Sequence, residues 1–229
     1  LSVLAVCDGQ RSVLLPPAQD FKRIGDADTG PNTGGMGAYS PVPIVTDEVL
    51  STVSDRFVAP TLAELRRRGI DYRGVLYAGL MFTAEGPKLI EYNVRFGDPE
   101  TQVVVPRLTS DLTQLLAEAA EGSIRSAPTV SNEAHVTVIC ASEGYPSAAR
   151  TGDVIEGLDA LEGRPGVQVY AAGVATDGDG RLVTAGGRVL DVCGRGATIA
   201  EARSRAYDAV SAISWPGMQH RTDIAASAS

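Results

Sequence analysis

Short apolar runs and helical 3.6-residue rhythms alternate along this chain, so strands and helices are predicted to be interspersed throughout. The run Leu1-Ser2-Val3-Leu4-Ala5-Val6-Cys7 reads as a buried strand, and Asp8-Gly9-Gln10 as a hairpin turn into a second strand over residues 12–15. Over residues 20–43 the pattern dissolves into Gly, Pro and small polar residues, which predicts a loop; at that length in a compact domain it is functional or disordered. Thr46 then caps a helix with Asp47 and Glu48 in its first turn and Val49, Val53 and Phe57 on one face. Pro60 bends or divides that helix, and Arg66, Arg67 and Arg68 close it before Gly69, where their position at a helix C-terminus favours a solvated, dipole-offsetting role over the alternative of a phosphate site.

Residues 74–82 and 88–93 are strands joined by the turn Thr83-Ala84-Glu85-Gly86, which places Glu91 and Asn93 opposite the small-residue stretch at positions 77–79. Ser110 caps a helix through Glu121, with Leu112, Leu115, Leu116 and Ala119 inward and Gly122 as its stop. Residues 123–133 form a linker. Beyond it strands are predicted at 136–141, 167–175, 182–184 and 188–193, and a helix at 199–213. The fold class is mixed α/β (α+β) in two domains, residues 1–124 and 134–229.

The strand over residues 88–93 carries the strongest chemical signal. Side chains alternate between faces, so Glu91, Asn93 and, if the strand continues, Arg95 project together: a carboxylate, an amide oxygen and a guanidinium in a row. Oxygen donors of this kind suit Mg²⁺, which is commonly held by one or two protein groups plus water and phosphate oxygens, and Arg95 would meet the phosphate. The alternative is a polar edge strand ending in a turn, with Arg95 paired to Asp98 or Glu100 on the surface. The turn Gly97-Asp98-Pro99-Glu100, with two acids directly after the arginine, favours a site.

Charge and cysteine content narrow the field. A formal net charge of −8 argues against a general affinity for nucleic acid or an anionic membrane surface, and no apolar run is long enough to cross a bilayer. Cys7, Cys140 and Cys193 are odd in number and set among apolar residues, which predicts buried reduced thiols and a cytoplasmic protein. The chain opens on a strand without an initiator Met or a basic leader, as a chain beginning mid-domain would.

The segment Asp26-Ala27-Asp28-Thr29-Gly30-Pro31-Asn32-Thr33-Gly34-Gly35-Met36-Gly37 offers backbone N–H groups able to surround an anion, with Lys22 and Arg23 just upstream; a surface loop rich in turns is the alternative. It is not a Walker A loop, and no strand runs into a Gly-x-Gly-x-x-Gly helix start. His135 and His220 are isolated, Cys-x-x-Cys is absent, and Asp177-Gly178-Asp179-Gly180 lacks the later Glu of a calcium loop and reads as a hairpin turn.

Taken together, Lys22-Arg23 through Thr29-Gly30-Pro31-Asn32-Thr33-Gly34-Gly35-Met36-Gly37-Ala38-Tyr39 and Glu91-Tyr92-Asn93-Val94-Arg95-Phe96-Gly97-Asp98-Pro99-Glu100-Thr101-Gln102 closely resemble the phosphoribosylamine–glycine ligases, also called glycinamide ribonucleotide synthetases. Tyr72-Arg73-Gly74-Val75-Leu76-Tyr77-Ala78-Gly79-Leu80-Met81, Gly144-Tyr145-Pro146, Arg150-Thr151-Gly152-Asp153 and Gly186-Gly187-Arg188-Val189-Leu190 extend the resemblance in order over nearly the whole chain. It implies the C-terminal part of an ATP-grasp core, with an antiparallel sheet and helices, followed by a smaller mixed C-terminal domain. The implied reaction is ligation of glycine to 5-phosphoribosylamine through glycyl phosphate, with ATP and Mg²⁺ or Mn²⁺. By resemblance Glu91 and Asn93 ligate metal, Arg95 stabilises the transferred phosphoryl group, and Lys22 with Arg95 faces nucleotide phosphate. Gly97, Asp98 and Glu100 shape the glycine or phosphoribosylamine pocket, and Asp28, Asn32, Thr33, Gly34 and Gly35 lie on the loop that closes over substrate. Two departures stand out. Ala78-Gly79 occupies the strand where many ATP-grasp enzymes carry a further carboxylate, so a second metal would be sparsely held. The family's N-terminal domain and ATP-binding lysines would precede Leu1, which implies the C-terminal half of the enzyme, inactive alone; a non-catalytic remnant of the fold is the alternative.

Overall fold

Burial explains the first strand: every residue of β1 (Ser2–Asp8) is buried, as an apolar run flanked on both edges requires. The computed structural model describes residues 1–228. Along the chain β1 is followed by β2 (Ser12–Leu14), β3 (Gln19–Asp20), β4 (Arg23–Gly25), β5 (Thr29–Asn32) and β6 (Gly37–Ser40). Next come α1 (Asp47–Val53), α2 (Ala59–Arg67), β7 (Arg73–Thr83), β8 (Gly86–Asn93), α3 (Thr101–Val104) and α4 (Leu112–Glu121). The remainder holds β9 (Ala134–Ala141), β10 (Val167–Ala171), β11 (Val174–Thr176), β12 (Leu182–Thr184), β13 (Arg188–Gly196) and α5 (Ile199–Val210).

These elements group into two compact units: residues 1–19 with 41–132, and residues 20–40 with 133–228 of the described chain. The first contains the antiparallel sheet β2-β1-β7-β8. Asp8 closes the β1–β2 turn by accepting the amides of Gln10 and Arg11 at 2.8 and 2.6 Å, and its other oxygen takes the Ile124 amide at 2.8 Å. Desolvation alone would raise its pKa, but these three amides together hold it below the ordinary carboxylate value. Thr46 caps α1 through the Val49 amide, and between α1 and α2 the chain widens into a π-type turn over Ser54–Val58. Pro60 divides the helix in this way because it lacks an N–H and its ring crowds the carbonyl four residues back. The α4 cap is Asp111, which accepts the Thr113 and Gln114 amides; Ser110, the residue expected there, instead accepts the Thr129 amide. Gly122 ends the helix in the left-handed conformation at φ 81°. Glu118 accepts the amides of Arg125 and Ser126, which pull its pKa down to about 2 and tie the start of the expected linker to α4.

The second unit is built on the sheet β10-β13-β9-β6-β3, with the smaller ladders β4-β5 and β11-β12. Helix α5 approaches this sheet so closely that a Cβ on Gly194 would lie 2.0 Å from the Ala202 carbonyl oxygen. Here the expected loop over residues 20–43 is overturned: it supplies four short strands, and β6 pairs with β9 in register from Gly37↔Val138 to Ser40↔His135. The division at residues 1–124 and 134–229 therefore omits one feature, the docking of residues 20–40 with the later unit. Glycine reads as loop in a sequence, yet at position 37 it admits a neighbouring strand and the C-terminal tail: a Cβ there would lie 2.7 Å from the Thr137 carbonyl and 2.8 Å from Ile224. Gly37→Ala is accordingly expected to cost about 1–3 kcal/mol, as overpacking does, and to lower the melting temperature. An unchanged thermal denaturation curve would contradict this packing.

The strand expected over 167–175 is broken into β10 and β11, and the last helix ends at Val210. All three cysteines are buried and unbridged. Desolvation pushes the Cys7 and Cys140 thiols up to about 12 and Cys193 upward as well, so they are unreactive packing groups. Among the described residues no helix is long and apolar enough to cross a membrane.

Candidate active site

Strand β8 presents the candidate ligands as the alternation predicted. Asn93 faces Tyr77 and Glu91 faces Gly79 across the β7–β8 ladder. Glu91 is exposed, Asn93 half-buried, and the Asn93 amide donates to Glu91 Oε1 at 3.3 Å, so the two polar heads sit side by side. The absent side chain of Gly79 leaves the space: a Cβ there would stand 3.2 Å from Glu91 Cγ and 3.8 Å from Oε1. A register irregularity lies between Gly79 and Leu80, opposite Ile90, immediately before Glu91. No group of three or more His, Cys, Asp or Glu able to hold a metal occurs among the described residues. Two adjacent oxygen-bearing side chains with open space before them fit a cation that takes its remaining ligands from water and phosphate.

The strand stops at Asn93, so Arg95 lies on a bend beyond the β8 row and does not continue it. Its guanidinium is exposed, donates to the Phe96 carbonyl at 2.9 Å, and forms no ion pair with Asp98 or Glu100. The paired-surface alternative is thereby removed, and the cation stays available to an anion. Asp98 is exposed and accepts from Gln102 at 3.0 Å.

Glu100 is buried. It is 3% exposed, and its Oε1 accepts the hydroxyls of Tyr77 at 2.9 Å and Ser2 at 3.2 Å, so whatever it shapes it shapes by anchoring the turn from beneath. Gly97 is buried above it, where a Cβ would lie 2.3 Å from Glu100 Oε2. Buried carboxylates are retained only with such partners.

The Gly-rich segment belongs to the other unit, and there the expected nest of free amides is largely absent because the amides are already bonded. Thr33 N–H donates to the Lys22 carbonyl, Gly34 N–H to the Tyr145 hydroxyl at 2.9 Å, Gly35 N–H to Thr33 Oγ1 at 3.0 Å and Met36 N–H to the Phe21 carbonyl. Arg188 donates to the Gly34 carbonyl at 3.1 Å from the other side. Lys22 is paired with Asp20 at 3.0 Å, and Asn32 stands exposed opposite Arg23 in the β4–β5 ladder. Asp28 is committed to Arg221 at 2.7 Å. The candidate set is divided between the units: Glu91, Asn93, Arg95, Gly97, Asp98 and Glu100 belong to the first, Lys22, Asp28, Asn32, Thr33, Gly34 and Gly35 to the second.

Tyr145, Arg188 and Arg221 were missed as determinants of this segment, since each lies more than a hundred residues away in sequence and nothing local marks the pairing. Arg221 is the most consequential. It is 1% exposed, forks onto Asp223, reaches Asp28 and the Arg23 carbonyl, and lies 4.9 Å from the Phe21 ring centre.

Known proteins share this architecture. Residues 1–101 match the family model described as phosphoribosylglycinamide synthetase, ATP-grasp (A) domain, and residues 135–227 match its C domain. A phosphoribosylamine–glycine ligase of Streptomyces coelicolor is 51% identical over 232 residues, spanning all of this chain and 56% of the relative. One of Vigna unguiculata is 48% identical over 220 residues, 94% of this chain and 71% of the relative. The crystal structure of the Thermotoga maritima phosphoribosylamine–glycine ligase superposes with a TM-score of 0.88 at 38% identity, covering 98% of this chain and 55% of that one. A biotin carboxylase domain from Hydrogenobacter thermophilus shares the fold alone, at a TM-score of 0.62 and 15% identity over 96% of this chain and 46% of that one. Fold and site thus define an ATP-grasp protein. The chain belongs to the phosphoribosylamine–glycine ligase family, and it spans about half the length of several of the curated relatives it matches.

Proposed function

We propose that this chain carries the metal- and acyl-phosphate-facing part of a phosphoribosylamine–glycine ligase. The enzyme joins glycine to 5-phosphoribosylamine through glycyl phosphate, releasing ADP, phosphate and glycinamide ribonucleotide in purine biosynthesis, in the cytoplasm. The observation that carries the reading is the pairing of exposed Glu91 with half-buried Asn93 on β8, opened by Gly79 and followed by an exposed arginine bonded to the Phe96 carbonyl.

Transfer of a phosphoryl group between two anions demands that negative charge be offset and the reactants aligned; a protein nucleophile is unnecessary. Glu91 and Asn93 would hold the cation of MgATP. That ion, when bound, neutralises charge on the phosphates and orients them. Arg95 contributes a fixed positive charge to the transferred phosphoryl group. Asp98 would meet the amine of a substrate, a role supported by its exposure on the turn that Glu100 anchors from below. Lys22 and the segment holding Asn32, Thr33, Gly34 and Gly35 would contribute to substrate enclosure, through side chains and carbonyls more than through the amides already bonded.

The test is ADP release by a complete ligase containing these residues, which must require glycine, 5-phosphoribosylamine and Mg²⁺ together; release that is independent of glycine would refute the assignment. The 229 residues by themselves are expected to bind ATP weakly and show no turnover, because they span about half the length of the ligases they match. Turnover approaching that of a complete ligase would overturn this expectation.

A further inference from the structure

We propose that Tyr92 is a positioning residue for the metal ligands: its hydroxyl, lodged in the π-type turn between α1 and α2, fixes the end of β8 and with it the direction of Glu91 and Asn93. The proposal rests on the functional reading above. It begins from a mechanical weakness. Strand β8 is the edge of its sheet and is held by the β7 ladder alone. The register irregularity opposite Ile90 leaves only Glu91, Tyr92 and Asn93 in regular pairing beyond it, opposite Gly79, Ala78 and Tyr77. Three residues on a sheet edge, two of them carrying the ligands, need a second point of attachment to resist twisting.

Tyr92 supplies it on the opposite face. Alternation sends its half-buried side chain away from Glu91 and Asn93 and towards the helices. There the hydroxyl donates to the Phe57 carbonyl at 2.8 Å and accepts the Thr61 hydroxyl at 2.8 Å. The Phe57 carbonyl is part of the Ser54–Val58 turn, where the Ala59 amide reaches back to Ser54. Pro60 explains that widening, since a proline inside a helix removes one donor and pushes the preceding turn apart. A helix defect therefore serves as a socket: it offers a backbone acceptor to a side chain from the ligand-bearing strand. Isolated π-type turns recur at functional sites for such reasons. The polar chain Thr61–Tyr92–Phe57 has a defined direction of donation, so loss of one hydroxyl disturbs it without creating a large void.

The experiment uses the complete ligase, with steady-state rates titrated against Mg²⁺, a glycine KM and a melting temperature for each variant. Tyr92→Phe is expected to raise the Mg²⁺ concentration for half-maximal rate about tenfold, the scale on which groups that orient metal ligands act, while glycine KM stays at the parent value. Thr61→Val should shift the Mg²⁺ requirement the same way and Thr61→Ser should restore it, because serine keeps the donor. A Tyr92→Phe enzyme with lowered melting temperature and parental Mg²⁺ dependence would overturn the proposal and leave a purely structural role. Glu91→Gln, measured in parallel, separates the two levels: if it leaves Mg²⁺ dependence untouched, the metal-site reading itself fails, whereas an effect of Glu91→Gln without one of Tyr92→Phe defeats only the positioning role.

Discussion

Glu91→Gln in a complete ligase is expected to lower kcat by about 100-fold or more and to raise the Mg²⁺ requirement, with the melting temperature unchanged. The size follows from the charge that Glu91 would contribute to the proposed metal site. A cation with one carboxylate and one carboxamide as protein ligands loses its only anionic protein partner when Glu91 becomes neutral, and loss of one preorganised electrostatic group typically costs 10²–10³ in rate. The fold is insulated from the change because Glu91 is exposed, and exposed substitutions fall within about 0.5 kcal/mol. Glutamine keeps the length of the side chain and can still accept from Asn93, so an effect would report charge and not shape. ADP release measured against Mg²⁺ at fixed ATP decides the matter; parental rate and parental Mg²⁺ dependence would remove Glu91 from the metal site.

The ligand pair was legible in the sequence because it depends on local rules. Period-two alternation placed Glu91 and Asn93 on one face, and the tight Gly86 turn brought them to the 77–79 region; the irregularity at Ile90, which moves Glu91 from Ala78 to Gly79, had no local signal. Arg95 lay one step beyond those rules, since the strand ends at Asn93 and the arginine arrives from a bend. Glu100 and Asp98 look equivalent in sequence, yet one is anchored beneath the turn by Tyr77 and Ser2 and the other faces solvent. That distinction is made by residues 23 and 98 positions away. The Gly-rich segment misled for a related reason: the glycines at positions 34, 35 and 37 look like freedom, but they are sites of close approach by Tyr145, Arg188, Thr137 and Ile224, all supplied by distant parts of the chain.

The same distance dependence makes Arg221 the residue whose loss should most destabilise the second unit. Arg221→Met is expected to cost about 1.5–3 kcal/mol and lower the melting temperature by about 5 °C, because the buried guanidinium loses its charge-assisted hydrogen bonds to two solvent-accessible carboxylates and to the Arg23 carbonyl. The guanidinium takes both oxygens of Asp223 at 2.7 Å, and Asp223 in turn accepts the Ala27 amide at 2.8 Å, so the arginine locks the tail onto the 26–32 segment. Arg221→Lys should fall between parent and Met, keeping charge while losing the fork. A pH signature accompanies this. The hydrogen bonds from Arg221, against the opposing effect of desolvation, draw the Asp223 carboxyl down to about 2, below its value in an unfolded chain. A lowered folded pKa means that the stabilisation is fully present above roughly pH 4 and is lost as pH falls towards 2, where the folded-state carboxylate also takes up its proton. The parent should therefore lose more stability than Arg221→Met between those limits. Parallel acid-unfolding profiles, or a melting temperature for Arg221→Met within about 2 °C of the parent, would show that the cluster is held together by packing alone.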